Sequence, residues 1–344
     1  MSKFFTVVVP VYNPTRLERA LDSIESQRNK ENIEVIIVDD NSTNKEYQKL
    51  LSKYTFDYKL IENNENLGPG LARQVGMDAA AGEWITFLDH DDEFNPDCFE
   101  YIEKFIVNSG CEFVLSSNTL IANDYDWSTT ELYQVEASDN FLHGKFYNIE
   151  KLKYYNVHFS KDLRAQEDTF FISLIEGYLL LDRENFNLEK AKIMCPLITY
   201  YWYLWPDSTS HSVSNDERKL SYLEDTFDEY IIANFTAYKT CSLQFPQDEL
   251  FKYSRCISLL VYCYWFYESF LYSRPETFKK ENLDYVKNLV NLVMKELGLT
   301  TRKELVDIIS DAPIIYETTF KAILENVEMP FVPIHGIREF FALI

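Results

Sequence analysis

Asp89, Asp91 and Asp92 stand within four residues, directly behind the apolar run Trp84-Ile85-Thr86-Phe87-Leu88. Ligands of parallel α/β sheets bind beyond the carboxyl ends of the strands, and carboxylates there favour a hard divalent cation carrying phosphate oxygens. The cluster therefore reads as a metal and diphosphate site. Two other readings compete with it. Clustered Asp after a strand also makes a solvated turn, and Asp89, Asp91, Glu93 and Glu100 fall at the first, third, fifth and twelfth positions of a calcium loop. That loop needs Gly at its sixth position, where this chain has Phe94, and a helix before it, where this chain has a strand. The calcium loop is rejected.

The elements that must position these acids are legible in the first hundred residues. Phe4 to Val9 is a β-rich run closed by Pro10, and a helix after Asn13-Pro14-Thr15 carries Leu17, Ala20, Leu21 and Ile24 on one face. Ile33 to Val38 is a second buried strand, ending in Asp39-Asp40-Asn41-Ser42. Tyr58 to Ile61 is a third, Gly68 to Ala81 an Ala-rich helix, and Trp84 to Leu88 a fourth strand. Alternating strands and helices predict parallel βαβ units with right-handed crossovers, and near-continuous apolar strands predict a sheet covered on both faces. A nicotinamide or flavin fold shares this rhythm but needs glycine in the turn after the first strand. The turn here is Val11-Tyr12-Asn13-Pro14.

The ordered motifs Val9-Pro10-Val11-Tyr12-Asn13, Val38-Asp39-Asp40-Asn41-Ser42, Asn66-Leu67-Gly68 with Ala72-Arg73, Gly82 to Asp92, and Gln166-Glu167-Asp168 resemble the signature of the family 2 glycosyltransferases. The resemblance covers about half the chain. It implies the GT-A fold, a Rossmann-like, mostly parallel sheet flanked by helices, and an inverting, non-processive sugar transferase using a nucleotide diphosphate sugar. Under the resemblance, Pro10, Val11 and Tyr12 line the nucleotide pocket with Asn66 nearby. Asp40 accepts a hydrogen bond from the base, while Asp39 braces the loop, and Arg73 lies near the nucleotide. Asp89-His90-Asp91 matches the DXD motif: Asp91 is the first ligand expected for Mn²⁺ or Mg²⁺, with Asp89 on ribose or metal-bound water, and His211 a third ligand. Asp168 is the expected catalytic base. His143, Gly144 and Lys145 begin the acceptor side of the cleft, where His143 and Lys145 face donor or acceptor oxygens and Gly144 permits close backbone approach. Each assignment has a structural alternative: a surface salt bridge on its own helix for Arg73, a cap of the helix through Pro96 for Asp92, and an N-cap of Thr169 to Glu176 for Asp168. The segment Tyr200 to His211 departs from the family pattern, with no evident basic residue and with Asp207 where Gly is common.

Composition and spacing complete the expectations. The chain has 344 residues and 46% hydrophobic content, which suits two domains. The expected division is a catalytic domain over 1–214, with a nucleotide-sugar half about 1–115 and an acceptor half about 116–214, and a helical C-terminal domain over 215–344. A boundary falls between Ser210 and Glu217. Helices are expected over Leu220 to Lys239, Gln247 to Ser273, Pro275 to Leu297 and Thr301 to Ser310, with a capping box joining Thr301 and Glu304. The processive motif Gln-x-x-Arg-Trp is absent, and the longest apolar stretch, Ile257 to Tyr267, is far short of the ~20 residues that span a bilayer. Peripheral membrane contact is allowed. The six Cys show no paired CxxC spacing and no signal-peptide pattern opens the sequence, so cytoplasm is expected. A net charge of −22 gives no general attraction to nucleic acid.

The expected activity is transfer of a hexose or N-acetylhexosamine from a UDP-sugar to a hydroxyl of a glycan, lipid-linked carrier or cell-wall polymer. The alternatives are a transferase acting on a DNA base or a protein, and a non-catalytic sugar-nucleotide-binding protein. A homodimer through the helical region is a further expectation.

Overall fold

A computed structural model describes residues 3–122, 132–135, 141–163, 166–182, 187–203, residue 205 and isolated positions from 233 to 304. The chain divides into two compact units, Met1–Ala233 and Asn234–Ile344. The strands are β1 (Phe5–Val11), β2 (Ile33–Asp39), β3 (Asp57–Glu62), β4 (Trp84–Phe87), β5 (Glu93–Phe94), β6 (Val114–Ala122), β7 (Leu132–Val135), β8 (Lys145–Asn148) and β9 (Lys192–Tyr203). The helices are α1 (Leu17–Glu25), α2 (Gln48–Leu51), α3 (Pro69–Asp78), α4 (Cys98–Ser109), α5 (Ile149–Tyr154), α6 (Glu167–Leu181) and α7 (Leu188–Ala191).

The sheet order is β3-β2-β1-β4-β8-β6-β9-β5, with β7 on β6. β1 to β4 are mutually parallel, as the alternation of strands and helices predicts. Beyond β4 the mostly parallel sheet becomes mixed: β8 pairs antiparallel with β4 and β6, while β9 returns parallel to β6. β6 pairs antiparallel with both β7 and β8, which follow it in the chain, so β8 enters the sheet reversed relative to β6.

β1 is buried at every position and β2 at all but one, the burial of central strands covered on both faces. β1 continues through Pro10, where the sequence suggested a stop. The Val8 carbonyl bonds toward the β4 side and the Val11 carbonyl toward β2. Pro10 shares the parity of Val8 and lies past the last β4 pairing at Val8↔Phe87, so its missing N–H removes no ladder bond. α1 covers this sheet with Leu17, Ala20, Leu21 and Ile24, the 3.6-residue stripe read from the sequence. α3 lies so close to β1 that a Cβ at Gly76 would come within 2.3 Å of Val8 Cγ1.

Because β2 and β3 lie on one side of β1 and β4 on the other, the chain order reverses at β1. A crevice at the carboxyl ends follows from that reversal. The loops after β1, β2 and β4 all open there.

In the second unit only isolated residues are described. Among them Glu304 N–H donates to Thr301 Oγ1 at 3.3 Å and Thr301 N–H to Glu304 Oε2 at 3.0 Å, the reciprocal pattern of the expected capping box. The boundary at Ser210 to Glu217, His211, the stretch Ile257 to Tyr267 and most of the expected C-terminal helices lie outside the described residues. Among the described residues no helix is long and apolar enough to cross a membrane, Cys98, Cys111 and Cys195 are buried free thiols, and Cys241 is buried.

Candidate active site

The three acids behind β4 have three different surroundings. Asp89 Oδ1 receives Arg73 Nη2 at 2.6 Å, and its Oδ2 lies 3.5 Å from His143 Nε2. Burial opposes its ionisation, but the Arg73 guanidinium and then His143 overcome it and hold the carboxyl well below the usual range. Asp91 is half-buried, and no other described residue hydrogen-bonds its carboxylate; burial, with Asp89 nearby, pushes its pKa up. Asp92 is 2% exposed and accepts from Tyr200 Oη at 2.8 Å and Tyr203 N–H at 2.9 Å. It does not cap the helix through Pro96; α4 begins after Asp97, a left-handed residue with no side-chain cap. Asp92 instead fastens the acidic loop to β9, and Trp205 Nε1 adds a bond to the Asp91 carbonyl at 3.2 Å.

Arg73 is neither on the surface nor paired along its own helix. It is 7% exposed, and its fork spans Asp89 and, through Nη1 at 2.7 Å, Glu167 Oε1. Burial works against its charge, and these two carboxylates raise its pKa above the ordinary value. One guanidinium thus joins the DXD loop to the motif that carries Asp168.

Asp168 is half-buried in the first turn of α6. The helix starts at Glu167, after Gln166 at φ 57°, so Asp168 is inside it and is not the N-cap expected at Thr169. Its Oδ1 accepts the Thr169 N–H at 2.7 Å. Burial first, and the Glu167 charge second, push its pKa up to about 7, where a carboxylate can exchange a proton near neutral pH. Aromatic packing seats this end of α6: Phe159 stacks on Phe171 at 4.5 Å, and Phe87 at the end of β4 meets both rings edge-on.

The nucleotide-side candidates separate. Tyr12 is 48% exposed at the mouth of the crevice, and Asn66 is exposed. Pro10 and Val11 are buried in β1, and the Val11 carbonyl already accepts the Asp40 N–H at 2.8 Å, so neither presents a side chain to a ligand. Asp40 is 3% exposed; its Oδ1 accepts from Asn63 Nδ2 and Leu67 N–H, both at 2.9 Å, and its Oδ2 from Gly68 N–H at 2.8 Å. It braces the loop entering α3. Asp39 does similar work on the next loop through Ser42 N–H at 2.8 Å.

On the acceptor side, His143 stacks on Tyr200 at 4.7 Å and beneath Phe141 at 6.0 Å. Its Nδ1 is buried with no hydrogen-bond partner among the described residues. Lys145, expected to face donor or acceptor oxygens, is 2% exposed, and its Nζ donates to the Phe141 carbonyl, which holds the loop. The close approach at Gly144, φ 65°, is to β6, since a Cβ would lie 3.0 Å from the Ser117 carbonyl.

Among the described residues one group of three ligand-bearing side chains lies within 4.8 Å, Asp89, Asp92 and His143. Both Asp92 oxygens already accept hydrogen bonds from β9. The carboxylate oxygens are of the hard kind that Mn²⁺ and Mg²⁺ take, and Asp91, outside this group, has a carboxylate that no other described residue hydrogen-bonds. Sequence reasoning missed Glu167 as the partner of Arg73 and the bond from Tyr200 to Asp92. The first was adjacent to a motif residue; the second joins positions 108 apart, with no local signal.

Residues 6–162 match the model of glycosyl transferase family 2. Over 233 residues the chain is 26% identical to an uncharacterized glycosyltransferase of Haemophilus influenzae, an alignment covering 64% of this chain and 76% of that protein. Over 200 residues it is 26% identical to the poly(ribitol-phosphate) beta-N-acetylglucosaminyltransferase TarS of Staphylococcus aureus, covering 54% of this chain and 34% of TarS. The crystal structure of S. aureus TarS 1-349 in complex with UDP-GlcNAc aligns with a TM-score of 0.62 at 19% identity, over 98% of this chain and 90% of that one. Residues 6–162 thus carry a glycosyl transferase family 2 domain, in the GT-A fold.

Proposed function

We propose that the chain is an inverting glycosyltransferase that moves a hexose or N-acetylhexosamine from a UDP-sugar to a hydroxyl of a glycan, a lipid-linked carrier or a cell-wall polymer. The observation that carries this reading is the placement of Asp168, with its pKa pushed up to about 7, beside the Asp89 loop through one buried guanidinium. A base and a donor-binding acid loop facing one crevice suit a single displacement. The structure of TarS 1-349 with UDP-GlcNAc, and the poly(ribitol-phosphate) acceptor for which TarS is named, support the choice of donor and of a polymer acceptor.

In this reaction Asp168 takes the proton of the acceptor hydroxyl as its oxygen attacks the anomeric carbon. The bond from that carbon to the diphosphate oxygen breaks, the oxygen leaves with the electron pair, and the configuration inverts. Mn²⁺ or Mg²⁺, held by Asp91 with Asp89 and His143 near it, would offset the charge that builds on the leaving diphosphate. Tyr12, open at the mouth, suits a flat base. Residues 1–214 form the catalytic part in this reading, and the helical remainder contributes acceptor choice or self-association.

The test is a thermal-shift panel of UDP, GDP, CDP and dTDP sugars with Mn²⁺ and with chelator, followed by UDP release from the donor that binds. A shift for UDP-sugars that needs metal and is lost in Asp91→Ala is expected, since a ligand of the folded state alone raises the melting temperature. No shift and no UDP release from a folded sample would refute the reading.

A further inference from the structure

The Arg73 bridge rests on an unusual close approach. Gly70 and Arg73 are three residues apart and share a face of α3. The Glu167 side chain crosses the helix at Gly70: a Cβ there would lie 2.8 Å from both Glu167 Cβ and Cγ. Glu167 then ends on Arg73 Nη1 at 2.7 Å, while Arg73 Nη2 reaches Asp89 at 2.6 Å. The other contacts of α3 leave little freedom. Gly76 is pressed on Val8 of β1, Gln74 Oε1 accepts the Phe159 N–H at 2.8 Å, and the helix entry at Leu67 and Gly68 is held by Asp40.

We propose that Gly70, Arg73 and Glu167 form a spacer that sets the distance between the base Asp168 and the donor loop at Asp89, with Gly70 and Glu167 acting as positioning residues. This rests on the reading of Asp168 as the base. Glu167 itself touches no reacting atom. It fixes the first turn of α6, and with it the neighbouring Asp168, against an arginine already tied to the donor side. A guanidinium suits the task because its planar fork fixes two carboxylates at once, which a lysine ammonium cannot do with the same geometry. The gap at Gly70 is what lets the Glu167 stem lie flat on α3. A methyl there displaces the stem and, through it, the helix start.

Misplacing a reacting group by about 1 Å can cost ~10²-fold in rate, whereas donor binding depends on other contacts. The spacer therefore predicts a loss in kcat with donor affinity kept. The experiment measures UDP release from UDP-GlcNAc, with water as acceptor, and UDP affinity by calorimetry, for the wild-type chain, Glu167→Gln, Gly70→Ala and the double variant. Glu167→Gln keeps the stem and shape and removes only the charge, so it guards against a Gly70→Ala chain that fails to fold. We expect kcat to fall ~10-fold or more in each single variant, with donor KM and UDP affinity within ~3-fold of wild type. The double variant should be little worse than either single one, since both weaken the same bridge. Unchanged kcat in folded Glu167→Gln overturns the proposal. So does a parallel loss of kcat, UDP affinity and melting temperature, which marks general loosening. A wild-type chain that releases no UDP overturns the underlying function as well, an outcome distinct from an active wild type with active variants.

Discussion

At the scale of single residues, the chemistry depends on acids of one type made unlike by their surroundings. Asp89 is held ionised by Arg73, Asp168 is raised to about 7 by burial beside Glu167, and Asp92 is locked to β9. The pH consequence of Asp168 can be signed. Its folded pKa lies above the ordinary value of 3.8, so the folded chain binds the proton more tightly than the unfolded one. Stability from this group is complete below about pH 4 and falls as pH rises toward 7. In the role proposed for Asp168 catalysis runs the other way, because a base must be unprotonated. UDP release should rise with pH through about 7 and level off above it. Asp168→Asn should lower turnover ~10²–10⁴-fold, keep UDP affinity, and melt a few degrees higher at pH 8. A melting temperature that drops at pH 8 would show that the ionised carboxylate is a net stabiliser, contrary to its raised pKa. Which acid does what was only partly legible in the sequence. Spacing marked Asp89 and Asp91, and the family resemblance marked Asp168, but Asp92 looked like a helix cap and Lys145 like a cleft residue, because the backbone and ring groups that engage them are brought in by β9 and by residue 141.

At the scale of elements, α3 is the part that connects the motifs. Its entry is held by Asp40, its middle by Asp89 and Glu167, and its end by β1. The strands and helices up to β4 were legible because short apolar runs mark the strands, apolar positions about 3.6 residues apart mark the helices, and the partners are near in sequence. The start of α6 was misplaced by two residues, since Gln166 adopts a left-handed conformation that its side-chain type does not announce. The reversal at β8 was also hidden, as strand direction is decided by distant pairing. α3 offers a clean stability test. A Cβ at Gly76 would sit 2.3 Å from Val8 Cγ1 and 2.9 Å from Cγ2, so the helix must lift off the sheet. Gly76→Ala gains helix propensity of ~1 kcal/mol, yet overpacking of this kind costs ~1–3 kcal/mol or more. Net destabilisation is expected, seen as a lower urea midpoint. A midpoint equal to or above wild type would mean that the helix and β1 have slack to separate.

At the scale of the whole molecule, a net charge of −22 must coexist with binding of an anionic donor. Long-range attraction cannot assist the encounter, since the overall field repels a diphosphate. The attraction has to be local, from groups such as a divalent cation on the acidic loop. Local, partly buried charges are screened weakly, while the unfavourable field of the surface is screened strongly, with a Debye length of ~10 Å at 0.1 M salt. Added salt should therefore leave UDP affinity in Mn²⁺ within ~3-fold, or strengthen it, between 50 and 300 mM KCl. A nucleic-acid acceptor makes the opposite demand: polyanion binding through phosphate contacts weakens by orders of magnitude over a similar range. Calorimetry of UDP and of a DNA duplex across that salt series separates the two. A steep salt-dependent loss for DNA, starting from tight binding at 50 mM, would place a basic face on this acidic chain and favour a base-modifying transferase. Flat, metal-dependent UDP binding with no measurable DNA binding is the outcome expected from the charge.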